Sequence, residues 1–110
     1  MISETELYDY VDRFIVYMKN TREYKEYIHA LRELEKYPDI KEKVYEFRRE
    51  NYFLQHAPEH EDIYERVEEL RSRNEELLER PEVSDFLMTE WEFFGMMQGV
   101  FDRIMNNMDF

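Results

Sequence analysis

Residues 81–108 read PEVSDFLMTEWEFFGMMQGVFDRIMNNM, and this stretch decides the fold. Val83, Phe86, Leu87, Trp91, Phe94, Met97, Phe101, Ile104 and Met108 recur at helical spacing. Pro81 suits the first turn, because its missing N–H is one that a helix start leaves unpaired anyway. The predicted helix is the broadest apolar surface in the sequence. Trp91, Phe93, Phe94, Met96, Met97, Val100 and Phe101 wrap more than one face, so it is expected to be covered on several sides. A second subunit is a natural cover in a chain this small. Glu90, Glu92, Asp102 and Arg103 interrupt the stretch, which excludes a membrane span. Gly95 and Gly99 are the only glycines and lie four residues apart on this helix. Each costs about 1 kcal/mol relative to Ala. Close approach of another helix, within the subunit or from a second one, would account for their placement.

Outward from this helix the rest of the chain reads the same way. Ser3 with Glu6 forms a capping-box pattern, and Leu7, Val11, Phe14, Ile15 and Met18 follow at helical spacing to about Asn20. Thr21 is the next N-cap, before a stripe of Tyr24, Ile28, Leu31 and Leu34. Pro38 opens a third helix, with Ile40, Val44, Phe47, Asn51 and Leu54. A fourth carries Ile63, Val67, Leu70, Asn74 and Leu77. Helices three and four share a 4-3-4-3 spacing, the seam of a coiled coil. They are expected to fold back near residues 58–59 as a hairpin, setting Phe47 near Leu70. Asn51 and Asn74 then stand in the seam, where a polar residue specifies register or lies at a solvated edge. Tyr45, Tyr52, Phe53 and Tyr64 fall off the seam and need cover from other helices or another chain. The expected architecture is all-α, about five helices, with the hairpin packed with helices one, two and five.

Composition bounds the function. The 110 residues make one domain, 1–110, with 43% hydrophobic and 38% charged residues. Two glycines and three prolines are too few for the turns of a sandwich or barrel. The lack of cysteine excludes disulfides, thiolate-bound metal and a Cys nucleophile. Net charge is −12, and residues 58–110 hold 15 acids against 5 bases. Such a surface repels phosphate, which argues against direct nucleic-acid binding and an anionic membrane. The N-terminus has no basic and apolar leader pattern, so a cytoplasmic location is expected.

Catalytic and metal-site patterns are sparse. Glu26 and His29 make one Glu-x-x-His, half of a di-iron carboxylate pattern with no second copy. His56 and His60 have i, i+4 spacing, but Pro58 interrupts the helix that would align their rings. Glu90 lies on the inner stripe of the last helix, where burial would raise its pKa. Each reads more simply as a surface, hairpin-tip or ion-paired residue. No catalytic residue, cofactor or metal ligand is assigned. The acidic run from Glu59 to Glu69 is a solvated helix face or a dock for a basic partner.

Three stretches resemble a known family: Thr21-Arg22-Glu23-Tyr24 with Tyr27; Leu34-Glu35-Lys36-Tyr37-Pro38-Asp39-Ile40; and Arg80-Pro81-Glu82-Val83 through Phe86, Leu87 and Glu90. Their order and spacing are similar to those of the YlbF/YmcA family of small helical bacterial regulators. That pattern places Asp before the first of these prolines and Asn before the second, where this chain has Tyr37 and Arg80. Cysteines linked to an iron–sulfur cluster in some relatives are missing here. The resemblance implies a cytoplasmic, self-associating, non-enzymatic regulator. It also implies possible partnership with related family members or an RNase Y complex, in control of competence, sporulation and biofilm formation.

The expected mechanism is binding. Trp91, Phe94, Met97 and Phe101, with Gly95 and Gly99, are the expected interface residues, and a homodimer or higher oligomer the expected assembly. Two alternatives are an acidic nucleic-acid mimic that occupies a basic protein and a helical-bundle metalloprotein with a carboxylate–histidine site.

Overall fold

The computed structural model describes residues 1–56 and 62–109. All regular structure among them is α-helical: α1 Glu4–Lys19, α2 Arg22–Leu34, α3 Pro38–His56, α4 Ile63–Arg73, α5 Glu75–Glu79 and α6 Pro81–Asn106. The helix starts follow local chemistry. Ser3 Oγ accepts from the Glu6 N–H at 3.2 Å, satisfying one of the first-turn donors of α1. Thr21 Oγ1 does the same for the Tyr24 N–H at 3.2 Å and donates to the Met18 carbonyl at 2.6 Å, so one side chain ends α1 and starts α2. Pro38 and Pro81 each occupy a first helical position.

The chain divides into two compact units. One comprises residues 30–88 and holds most of the core. Ala30, Leu34, Val44, Phe47, Leu70, Leu77, Val83 and Phe86 are buried in it, and Leu34, Val44, Leu70, Val83 and Phe86 are wholly enclosed. Within it α3 packs against both α4 and α5. Arg80 binds Glu82 and places its guanidinium 5.5 Å from the Tyr37 ring centroid. The Glu82 carboxyl is held below the usual carboxylate range, first by its own backbone N–H and then by Arg80.

The other unit comprises residues 1–29 and 89–110. Its one buried hydrophobic side chain among the described residues is Phe93. The Tyr27 ring stacks on it at 5.3 Å between centroids, and Tyr24 meets it edge-on at 5.5 Å. No residue of α1 is buried.

Two expectations change. The single fourth helix is two helices, so the count among the described residues is six. Asn74 makes the break: its Nδ2 donates to the Leu70 carbonyl at 2.7 Å, and its backbone sits near φ −109°, ψ 16°. A side chain that bonds its own preceding turn competes with helix propagation. Asn74 is therefore a helix-end residue. The turn expected at residues 58–59 lies outside the described residues.

Candidate functional site

The row of α6 made by Val83, Phe86, Phe93, Met97, Phe101 and Ile104 keeps one face of the helix. Burial along that row is uneven. Val83 and Phe86 are 0% exposed and Phe93 9%, whereas Phe101 is 56% and Ile104 53% exposed. The face that is core at the start of α6 is open at its end. Phe94 is half-exposed although the Tyr27 ring meets it at 6.0 Å, and Trp91 is 78% exposed. Trp91, Phe94, Met97 and Phe101 thus all present apolar surface to solvent in the single chain.

Gly95 and Gly99 lie on the same helix, with nothing within 4 Å of a Cβ built at either. Among the described residues no helix approaches either glycine closely. Neither has positive φ, so backbone conformation gives no reason for them either.

The sequence places the α1 helix and its stripe but names no interface residue on it. Leu7, Val11, Phe14 and Ile15 are each 40–55% exposed. So are Tyr8, Tyr10 and Tyr17, at 57–72%, on the flanks of the same stripe. The signal was present in the sequence. A helix whose stripe is widened on both sides by tyrosines is apolar over half its circumference, more than one neighbour can cover. The charged residues Glu6, Asp9, Asp12, Arg13 and Lys19 occupy the opposite half.

The remaining candidates give less. Glu26 and His29 are exposed, and Glu90 is half-buried. His56 stacks on Tyr52 at 4.0 Å, and its Nδ1 is 2.9 Å from the Tyr52 carbonyl oxygen. His60 lies outside the described residues. Among the described residues no group of three or more His, Asp or Glu is placed to hold a metal. Off the seam, Tyr45 is half-buried under the Arg48 guanidinium at 4.8 Å, while Tyr52, Phe53 and Tyr64 are exposed. A shallow depression lined by Tyr64, Glu65, Glu68, Glu69, Ser72 and Arg73 is the outer face of α4. Among the described residues no helix is long and apolar enough to cross a membrane.

Trp91, Phe94 and Phe101 on α6 and the stripe of α1 are thus apolar and open to solvent. The model of a family described as "Control of competence regulator ComK, YlbF/YmcA" matches residues 7–109. The chain belongs to the YlbF/YmcA family. Comparison with curated proteins and with solved structures gives no match. The family is a regulatory one, and membership extends over all six helices. Tyr37 and Arg80, each just before a helix-opening proline, are in cation–π contact.

Proposed function

We propose that this YlbF/YmcA family member is a non-catalytic regulatory adaptor of the cytoplasm that works by protein–protein contact. Trp91 anchors its docking surface. The observation that carries this reading is the exposure of a tryptophan, 78%, in the middle of a 26-residue helix. Tryptophan is the side chain most enriched among residues that dominate interface energy, where truncation costs about 2 kcal/mol or more. Nothing in the helix itself needs it there: lysine or glutamate would serve an exposed helical position as well. Acidic residues of α4 add charge selectivity for a basic partner surface. The resemblance of the helix openings suggests partners among related small helical proteins or in a complex with the ribonuclease RNase Y.

The test is capture from lysate of the native host with tagged wild-type protein and with Trp91→Ala as bait. Recovery of such partners with the wild type and their loss with the variant supports the reading. Equal recovery with both baits removes Trp91 from the surface. Capture weakened steeply by salt yet untouched by Trp91→Ala moves the reading to the acidic mimic.

A further inference from the structure

We infer that Met97, Met105 and Met108 form a peroxide-responsive site at the end of α6, where oxidation of their thioethers to sulfoxides turns the open apolar face polar and releases what docks on it. The release rests on the adaptor reading; the chemistry of the site does not. Three observations support it.

The first is where the sulfur lies. The chain has seven methionines and no cysteine, so a mild two-electron oxidant meets sulfur only as thioether. Met88, Met96, Met97, Met105 and Met108, five of the seven, fall on α6 or in the turn that follows it. Helix formation does not ask for them, because leucine has the same helix propensity and nearly the same volume. What methionine adds is a polarisable and oxidisable sulfur.

The second is placement on the helix. At 3.6 residues per turn, Met108 stands about 20° round from Met97, and Met105 about 80°. All three share the open face with Phe101 and Ile104, and the Met108 N–H extends the last turn by donating to the Met105 carbonyl at 3.4 Å. The three residues span about 16 Å of that face. They are 39%, 41% and 59% exposed, so peroxide reaches them with no opening of the fold, whereas Met18 and Met96 are half-buried. Met88 is also exposed but stands about half a turn round from Met97.

The third is what oxidation does there. A hydroperoxide gives its terminal oxygen to Sδ: an S–O bond forms as the O–O bond breaks, the sulfur loses two electrons, and hydrogen peroxide is reduced to water. Charge and chain length are unchanged, but an apolar side chain becomes a polar one whose oxygen needs a hydrogen-bond donor. Phe94, Phe101 and Ile104 on the same face offer none, so a partner that covers this face covers an unpaired oxygen. The wholly enclosed residues of α6, Val83 and Phe86, lie at its other end, so the modification spares them. Methionine sulfoxide reductases reverse it: a dithiol gives two electrons and becomes a disulfide, and the oxygen leaves as water.

Titration of the full chain with hydrogen peroxide, read at each methionine by peptide mass spectrometry, tests the site. Met97, Met105 and Met108 are expected to take up one oxygen roughly fivefold faster than Met18 and Met96. Retention on a phenyl column is expected to fall as they oxidise, and to hold when all three are replaced, Met97→Leu, Met105→Leu and Met108→Leu. Rates at the three no higher than at Met18 and Met96, or an equal fall in the triple variant, overturn the site. For the release, oxidised wild-type bait is expected to capture roughly tenfold less of the partners held by untreated bait, and treatment with the reductases for both sulfoxide epimers is expected to restore them. Met88→Leu is expected to respond as the wild type does. Undiminished capture by the oxidised bait, or a response lost in Met88→Leu, overturns the release. An untreated bait that captures nothing removes the adaptor reading, while the rates and the retention still decide the site.

Discussion

The α6 row offers a comparison in which one amino-acid change is made twice on one helix face, at Phe86 and at Phe101. Phe86 is wholly buried, with the Arg48 guanidinium 5.9 Å from its ring. Truncation to Ala removes the transfer free energy of the ring and leaves a cavity, about 3–5 kcal/mol in all. For 110 residues the unfolding entropy is about 0.23 kcal/mol/K, so Tm falls by roughly 13–22 °C, at any protein concentration. Phe101 is 56% exposed in the single chain, and an ordinary surface change costs at most about 0.5 kcal/mol, roughly 2 °C. If Phe101 is covered by a second copy, wild-type Tm rises by about 3 °C for each tenfold increase in protein, from 1.4 kcal/mol shared over two unfolding chains. Phe101→Ala flattens that slope and converges on the wild type at the lowest concentration. Thermal melts followed by circular dichroism over a hundredfold concentration range read both quantities. A Phe101→Ala protein that melts 10 °C or more below wild type at every concentration would refute the reasoning, because the ring would then belong to its own chain's core.

Other expectations follow from single contacts. Thr21→Ala removes the hydroxyl that caps α2 and closes α1, and should cost about 1 kcal/mol in denaturant titration, with Thr21→Ser restoring most of it. A double-mutant cycle between Tyr37→Leu and Arg80→Met should give a coupling of about 0.5–1 kcal/mol for the cation–π contact; additive singles would show the contact to be idle. The Glu82 carboxyl titrates below its ordinary value of 4.5, held down by its own backbone N–H and then by Arg80. A lowered folded pKa gives stability that is complete above the ordinary value and is lost as pH falls through the folded one. Glu82→Gln should therefore flatten the acid limb of the stability profile below pH 4.5, and an unchanged limb would show the ionised carboxylate to be dispensable.

Helix beginnings were legible because they depend on neighbours in sequence. Ser3, Thr21, Pro38 and Pro81 each act on the backbone within four residues, and the structure starts a helix at each. The break at Asn74 was not legible from periodicity, since Leu70, Asn74 and Leu77 keep helical spacing on both sides of it. What decides it is a side-chain bond to Leu70, and the same residue type at Asn51 lies within an unbroken α3. The stripe of α1 shows a different limit. Spacing tells that a face must leave water but carries no information about which molecule covers it. The same pattern of Phe and Met therefore served as core at Phe86 and as open surface at Phe101.

Contact between Tyr37 and Arg80 bears on how this protein can be redesigned. Both residues precede a helix-opening proline, a position where Asp or Asn would cap the helix start. Here neither side chain can accept from the first-turn N–H groups as Asp or Asn does, and the two residues meet each other instead. The two positions are thus a linked allele. Asp or Asn at position 37 alone gains a cap at α3 and leaves Arg80 bound to Glu82, whereas Asp or Asn at position 80 gains a cap at α6 and also releases Glu82. Changing both gains two caps and loses two contacts, the Tyr37–Arg80 stacking and the Arg80–Glu82 ion pair. Engineering of these helix caps should accordingly treat residues 37 and 80 as one site, because changes at the two positions are not independent.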